Sequence, residues 1–226
     1  MMTKEEFEKS LTAPVQFWSD KPREAVCMLL GEDVANMVGF SQRNPHHCYD
    51  LFMHSLHTVA GITETAPALL RVAAFFHDIG KLYVAEEKQG RLVFYGHAQK
   101  SAKIAEPILN QLGYSAEERE EVCFYISHHD DFISWVLPEE YDHDNKYQIL
   151  ITQENLFKRM DKVSLKMEEN NFRPTEIQWK NLLILCYADV SAQAESVWRN
   201  GMEIDSKRHN ILKVKCLLDC LHEDRT

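Results

Sequence analysis

The spacing of apolar residues along most of the chain predicts helices that each bury one face. Apolar residues recur at intervals of three and four positions, and eight glycines and seven prolines interrupt them rarely in 226 residues. We therefore predict an all-α fold. The predicted helices cover residues 3–12, 20–31, 46–62, 66–79, 97–112, 115–129, 153–170, 175–199 and 204–222.

The stretch 81–95 departs from this spacing. Apolar residues there flank a charged turn at Gly90, a pattern that predicts a small hairpin or an extended loop. Helix ends are marked elsewhere: Ser115 with Glu118 has the pattern of a capping box, and Gly80 is a residue that can end the helix before the hairpin.

Two ionisable residues lie where the spacing of one predicted helix requires core residues. In the segment LLRVAAFFHDIGK, the apolar stripe formed by Leu70, Ala73 and Ala74 continues directly into His77 and Asp78. A buried carboxylate without a partner is unfavourable, so Asp78 requires a cation or several hydrogen-bond donors. His77 is placed to share that cation.

Asp189 has the same unusual position on another predicted helix. It shares a face with Leu182 and Leu185 and follows the aliphatic run LLILC. His129 stands at the end of the predicted helix 115–129, on the face that carries Val122. Both residues are therefore predicted to point inward, and a buried Asp189 requires a partner.

Histidines and an aspartate also recur every three or four residues in HHCYDLFMHSLHTV. These residues are His47, Asp50, His54 and His57. A single histidine on an apolar face is more often a satisfied core residue or half of a buried ion pair. Several histidines together with two inward carboxylates favour a metal site instead. Nitrogen ligands with a few carboxylates suit Mn²⁺, Fe²⁺, Co²⁺, Ni²⁺ or Zn²⁺, so we predict a divalent transition metal.

Composition and charge restrict the partners. The formal net charge of −10 argues against broad binding of nucleic acid. The first twenty residues lack the apolar stretch of a signal peptide, and no later run is long enough to span a membrane. We therefore predict no membrane partner and a cytoplasmic protein, whose six cysteines are expected to be reduced thiols.

An ordered series of motifs resembles the HD superfamily of metal-dependent phosphohydrolases. The motifs are DLFMHSLHTV, FFHDIGKL, FYGHAQKSAKIAEPILNQLGYS, ISHHD and LLILCYADVSAQ, and the likeness extends from about residue 44 to 193. Within that superfamily the chain is most similar to the HD domain of bacterial tRNA nucleotidyltransferases, the CCA-adding enzymes. The resemblance implies a single HD domain over residues 1–226, an HD-domain helical bundle with its core at about 44–193 and flanking helices at both ends.

The resemblance also implies a set of metal ligands. The residues that match the family's ligands are His54, His77, Asp78 and Asp189. His97 and His129 match two further histidines that hold a second metal in some HD enzymes. The same two histidines could instead contact a substrate phosphate beside a single metal. We favour one tight metal and leave the second site open.

The transferase head of the CCA-adding enzymes has no counterpart in the roughly forty residues before Asn44, so the resemblance implies hydrolysis. Asp78 is expected to act as both ligand and base. Lys81 could contact the phosphate as a point charge or lie on the surface, and His97 could donate to the phosphate or protonate the leaving oxygen. The expected substrate is a small phosphoester, in particular a nucleotide, with Tyr95, Phe94 and Trp135 as candidates for stacking a base.

Two other functions stay open at this point. One is a catalytically silent HD module that senses nucleotides, and the other is an RNA-associated module. The predicted C-terminal helix at 204–222 carries Ile211, Val214 and Leu218, which could pack on the domain or against a second subunit in a homodimer.

Overall fold

The all-α prediction is confirmed by the structure, a computed structural model that describes residues 2–44, 47–169, 171–193 and 201–220, with only the backbone for 201–204. Helices form twelve segments of this described part. In chain order they are α1 Lys4–Ser10, α2 Pro14–Trp18, α3 Arg23–Leu30, α4 Glu32–Ala35, α5 Leu51–Ala60, α6 Ala68–Phe76, α7 Lys81–Val84, α8 His97–Leu112, α9 Ala116–His128, α10 Gln153–Glu168, α11 Glu176–Ser191 and α12 Gly201–Cys220. A 3₁₀ turn covers Pro138–Glu140.

Each predicted helix has a counterpart, but several boundaries differ. The helix predicted from residue 46 begins at Leu51, because the Asp50 side chain accepts a hydrogen bond from the Met53 amide and caps it. Residues 46, 170, 194–199 and 221–222 of the predicted helices lie outside the described residues. The short helices α2, α4 and α7 were not predicted, since five residues or fewer show too little periodicity.

The predicted hairpin is confirmed. Strand β1, Glu86–Lys88, pairs antiparallel with β2, Arg91–Val93, and Glu86 lies opposite Val93. The residues just before it form helix α7 and not a strand. A second pair was not predicted: β3, Trp135–Val136, and β4, Ile149–Leu150, are parallel and only two residues long.

The N-terminal helices pack onto the central helices through aromatic rings. Phe7 of α1 contacts Phe75 of α6 edge to face, with 5.2 Å between ring centroids. Trp18 of α2 contacts Phe52 of α5 in the same way at 6.3 Å, and its indole N–H donates to the Ser10 hydroxyl. Such ring pairs bury large apolar areas, so the flanking helices share the core of α5 and α6.

At the other end of the chain, α12 packs against α11. Its apolar residues Ile211, Val214 and Leu218 are buried against the same chain. Lys180 of α11 lies 2.9 Å from the Asp219 carboxylate of α12. The apolar face that raised the alternative of a second subunit is therefore covered within one chain, and homodimerisation stays a prediction.

The close approach of α8, and not the end of a helix, explains why position 80 requires a glycine. Gly80 has an ordinary φ of −64°, and α6 ends before it, at Phe76. A Cβ at Gly80 would lie 2.4 Å from the His97 carbonyl oxygen and 2.5 Å from the Ser101 amide nitrogen. The prediction that Gly80 ends a helix is thus wrong: it is the point where α8 approaches the turn that carries His77 and Asp78.

Gly80→Ala is expected to destabilise the fold by about 2 kcal/mol, because the added methyl group forces backbone against backbone. Gly61→Ala is the comparison and is expected to destabilise less. Gly61 has a similar φ of −76°, and its Cβ would meet Ala188 Cβ at 3.2 Å, Thr58 O at 3.3 Å and Ala188 Cα at 3.5 Å, all farther away than the contacts at Gly80. Urea denaturation of both variants measures the difference. Equal midpoints for the two variants would contradict this account of Gly80.

Candidate metal centre

The fold brings six ionisable side chains together from five segments of the chain. His54 lies in α5, His77 and Asp78 follow α6, His97 begins α8, His129 follows α9, and Asp189 lies near the end of α11. Two overlapping groups have ligand atoms within 4.8 Å of one another: His54, His77, Asp78 and Asp189 form the first, and Asp78, His97 and His129 the second. The structure therefore brings together every residue that the sequence analysis proposed as a ligand.

The first group is fully enclosed. His54 Nε2 lies 3.0 Å from Asp189 Oδ1 and 3.3 Å from Asp78 Oδ2. His77 Nε2 lies 3.3 Å from the same Asp78 oxygen and 3.5 Å from Asp189 Oδ1. The four side chains are at most 7% exposed, so water contributes little to neutralising these two carboxylates.

Asp78 also faces the second group, through its other oxygen. Asp78 Oδ1 lies 3.2 Å from His97 Nε2 and 3.6 Å from His129 Nε2. This oxygen is buried, yet it accepts no hydrogen bond of good geometry from the described residues. One carboxylate thus belongs to both groups, with Oδ2 towards the first and Oδ1 towards the second.

The four imidazoles are oriented by main-chain carbonyl groups. His54 Nδ1 donates to Ala192 O at 3.2 Å, and His77 Nδ1 donates to Ala74 O at 2.7 Å. His97 and His129 donate in the same way to the carbonyl oxygens three residues before them, at 2.9 and 2.8 Å. A carbonyl oxygen can only accept, so each Nδ1 carries a proton and each Nε2 faces the cluster.

This arrangement requires positive charge at its centre. His54 Nε2 and His77 Nε2 are 3.3 Å apart, and His97 Nε2 and His129 Nε2 are 3.2 Å apart. If all four rings are neutral, lone pairs face one another and face two carboxylates. Either protons on Nε2 or a cation between the rings removes this repulsion.

The pKa shifts describe the protonated alternative. Burial lowers the pKa of His54, but hydrogen bonds to Asp189 and Asp78 outweigh it and raise that pKa to about 9. For His77, burial is likewise outweighed by the charge of Asp78 and by hydrogen bonds to both carboxylates, and its pKa is also raised to about 9. Burial opposes ionisation of Asp78, but Lys81 and the histidines hold its pKa well below its usual range.

The donor set fits a divalent transition metal. Four imidazole nitrogens and two carboxylates suit Mn²⁺, Fe²⁺, Co²⁺, Ni²⁺ or Zn²⁺ better than Mg²⁺ or Ca²⁺, which prefer oxygen alone. The orphaned Asp78 Oδ1 and the four converging Nε2 atoms are what such an ion would bind.

A cavity of about 370 Å³ opens onto the cluster. Its wall contains Asp78, His97, His129 and Asp189 together with Lys81 and several neutral or aromatic residues. The additional lining residues are Asn44, His47, Leu92, Val93, Phe94, Tyr95, Gly96, Asp130, Ile133 and Gln193. The cluster is therefore buried on the protein side and accessible to a small ligand on the other.

Lys81 lies in this cavity wall and not on the surface. Its Nζ donates to Asp78 Oδ2 at 2.6 Å and to Gln42 Oε1 at 2.9 Å. The same nitrogen lies 5.4 Å from the centre of the Phe94 ring. Lys81 therefore keeps Asp78 ionised and is within the space that a ligand would enter.

The remaining polar and aromatic residues near the cluster have other partners or positions. His128 donates from Nδ1 to Asp131, and Arg43 forms an ion pair with Glu87, so neither faces the cluster. His57 stacks on Tyr49 with 4.2 Å between ring centroids. Of the aromatic candidates, Phe94 and Tyr95 line the cavity, whereas the buried Trp135 is not among its lining residues.

Neutral residues of the cavity were missed as functional candidates. Asn44 and Gln193 stand inside the motifs NPHHCYD and ADVSAQ, but nothing in their spacing indicated a role. Gln193 lies close to the segment before α5, because its main-chain carbonyl accepts a hydrogen bond from the Cys48 amide at 3.1 Å. This bond joins the segment before α5 to the end of α11, a contact that no local pattern reveals.

Comparison with known proteins places these residues within one family. The model of the HD domain matches residues 29–190. The chain is also 32% identical over 144 residues to a CC-adding tRNA nucleotidyltransferase of Thermus thermophilus, a match that covers 61% of this chain. It covers 32% of the Thermus protein, so the chain spans about a third of that relative's length.

Among the described residues there is no helix whose length and apolar character would let it cross a membrane. That the protein has no membrane partner stays a prediction. Its cytoplasmic location stays a prediction.

The metal-free protein is expected to lose thermal stability between about pH 6.5 and 9. His54 and His77 have folded-state pKa values of about 9, above the usual 6.5. Their stabilising interactions are therefore complete below pH 6.5 and disappear as the pH rises through 9. Melting temperatures of protein treated with a chelator, recorded from pH 6 to 9.5, measure this. A constant or rising melting temperature would contradict the proposed protonation, and saturating Mn²⁺ should flatten the decline.

Proposed function

Because this chain belongs to the HD domain family, we propose that it is a metal-dependent phosphohydrolase that acts on a nucleotide or another small phosphoester. The observation that carries the proposal is the convergence of six His and Asp side chains, five of them buried, at an open cavity. A buried cluster that served only packing would have no need of four Nε2 atoms directed at one carboxylate.

In this proposal His54, His77, Asp78 and Asp189 hold the tight metal. A divalent ion bound there supplies a Lewis acid that lowers the pKa of water and polarises a phosphoryl oxygen. His97 and His129 have two possible roles, as ligands of a second metal with Asp78 or as direct contacts to the phosphate. The shared position of Asp78 between the groups is compatible with both roles.

The remaining catalytic roles are assigned to residues that line the cavity. The pKa of Asp78 is lowered, so its carboxylate is ionised. An ionised carboxylate can orient a water molecule by accepting a hydrogen bond from it. His97 is the least buried member of the cluster and can donate to the phosphate or protonate the leaving oxygen. Lys81 is a candidate contact to the phosphate, in addition to its ion pair with Asp78.

The cavity supports a small substrate. A volume of about 370 Å³ lies at the lower end of the range for small-molecule sites. Phe94 and Tyr95 in its wall offer flat faces to a base. The net charge of −10 argues against a long nucleic-acid substrate.

A catalytically silent module that senses nucleotides or associates with RNA is the alternative. The similarity to a CC-adding tRNA nucleotidyltransferase is the observation that favours an RNA-associated role. The two proposals differ in turnover: a silent module would bind its ligand and release it unchanged.

Metal analysis of untagged protein tests the proposed centre. Mass spectrometry is expected to find close to one or two equivalents of a transition metal in the wild-type protein. Asp78→Ala should lose nearly all of it, because both groups share this carboxylate. Asp161→Ala, which changes an exposed acid of α10, is the control and should keep the full content. Wild-type protein that stays metal-free after incubation with Mn²⁺, Co²⁺, Ni²⁺ and Zn²⁺ would refute the centre.

His97→Gln separates the two roles of the second group. We expect hydrolysis of a nucleotide panel to fall at least about 100-fold in kcat, the usual contribution of a positioned acid or ligand. A simultaneous drop from two bound metals to one assigns His97 as a ligand, and an unchanged single metal assigns it to the phosphate. His209→Gln, an exposed histidine of α12, is the control. Activity within twofold of wild type would exclude both roles.

A further inference from the structure

Several unpaired buried polar atoms belong to residues that line the cavity or contact a lining residue. Most buried polar groups in folded proteins have a hydrogen-bond partner. Among the described residues, Gln42 Nε2, His47 Nδ1, Asp78 Oδ1 and Gln193 Oε1 are buried without one. The proposed metal centre accounts for Asp78. The other three atoms belong to neutral side chains that the proposed chemistry does not use.

These side chains are held together by the fold. The Cys48 amide donates to the Gln193 carbonyl oxygen, which places His47 beside Gln193. The His47 ring contacts the His54 ring edge to face, with 5.1 Å between centroids. Gln193 is 5% exposed and Gln42 is 2% exposed. His47 and Gln193 line the cavity, and we call them, with the lining residue Asn44, the neutral wall.

Gln42 does not line the cavity itself but contacts the lining residue Lys81. Its Oε1 accepts from Lys81 Nζ at 2.9 Å, which leaves its Nε2 as the unpaired donor. The neutral wall, the Lys81 ammonium and the metal cluster therefore line the same cavity. A ligand in this cavity can therefore contact the cluster and the neutral wall at the same time.

The chemistry of the neutral wall does not match a phosphate. An ionised phosphate offers only acceptors and is attracted by cations, whereas Gln193 Oε1 requires a donor. Amide and imidazole groups pair well with a hydroxyl, which donates and accepts at once. A purely apolar leaving group would leave these buried atoms unpaired, at an unfavourable free energy.

We propose that the neutral wall binds the hydroxyl groups of a sugar attached to the scissile phosphate. This inference rests on the proposed function and narrows its substrate class to hydroxylated phosphoesters. Ribonucleotides and simple sugar phosphates share this chemistry, and Gln193 is its main specificity-determining residue. An aryl phosphate or a dideoxynucleotide reaches the cluster but leaves Gln193 unpaired.

Binding of analogues that cannot be hydrolysed tests the inference without requiring turnover. Three 5′-phosphonates are compared by calorimetry on the metal-loaded protein: a ribonucleoside phosphonate, its 2′,3′-dideoxy counterpart and ribose 5-phosphonate. The ribonucleoside compound is expected to bind about 10- to 100-fold more tightly than the dideoxy compound, the usual effect of leaving buried polar groups unpaired. The affinity of ribose 5-phosphonate then tells whether the base contributes.

Gln193→Met removes the amide and keeps the volume of the side chain. It is expected to reduce the preference for the hydroxylated compound to less than about fivefold, while Gln16→Met, an exposed glutamine of α2, keeps it. Equal affinities for the two nucleoside phosphonates in the wild-type protein would overturn the inference, whether or not the variant folds. So would a preference that survives Gln193→Met in folded protein.

The same panel separates this inference from the proposed function. If binding depends on the hydroxyl groups but the matching phosphates are not hydrolysed, the proposed hydrolase activity is refuted and the proposed role of the neutral wall is supported. Hydrolysis that proceeds equally well with ribonucleotides and dideoxynucleotides supports the hydrolase and overturns the role of Gln193.

Discussion

The carboxylate of Asp78 is enclosed by four imidazoles and one lysine ammonium, and the arrangement of the site follows from what this burial requires. Removing a carboxylate from water costs several kcal/mol unless charge or hydrogen bonds compensate. Here Lys81 supplies one positive charge directly, and the imidazoles supply more only when protons or a cation occupy the space between them. The cluster is therefore stable when it holds positive charge. A centre that holds positive charge also attracts a phosphate.

The position of the site at helix ends explains how residues so distant in the chain meet. His97 is the first residue of α8, and His77 and His129 come directly after the last residues of α6 and α9. At such helix ends the ring can turn back onto the preceding main chain. His54 and Asp189 lie within helices, and they approach because α5 and α11 come close at Gly61, whose missing side chain admits Ala188. Local geometry at helix ends thus positions three of the rings. One close contact between helices positions His54 and Asp189.

Much of this could be predicted from the sequence, for identifiable reasons. Helix periodicity placed all nine longer helices, and charged residues on apolar stripes pointed to His77, Asp78 and Asp189. The start of α5 was missed because its capping by Asp50 competes with a run of residues that continues the periodicity. The role of Gly80 was misread because its constraint comes from α8, far along the chain. Asn44 and Gln193 escaped for the same reason: polar residues at loop positions look ordinary until tertiary contacts bury them.

The second hydrogen bond of each histidine goes to a main-chain carbonyl, and this has a consequence for how the protein can vary. The partners belong to Ala74, Phe94, Ile126 and Ala192, whose side chains take no part in the bonds. A point mutation at any of these four positions changes a side chain and leaves the carbonyl in place. The orientation of the rings therefore does not depend on the identity of these four side chains, and the centre can keep its geometry when one of them changes to a residue of similar size.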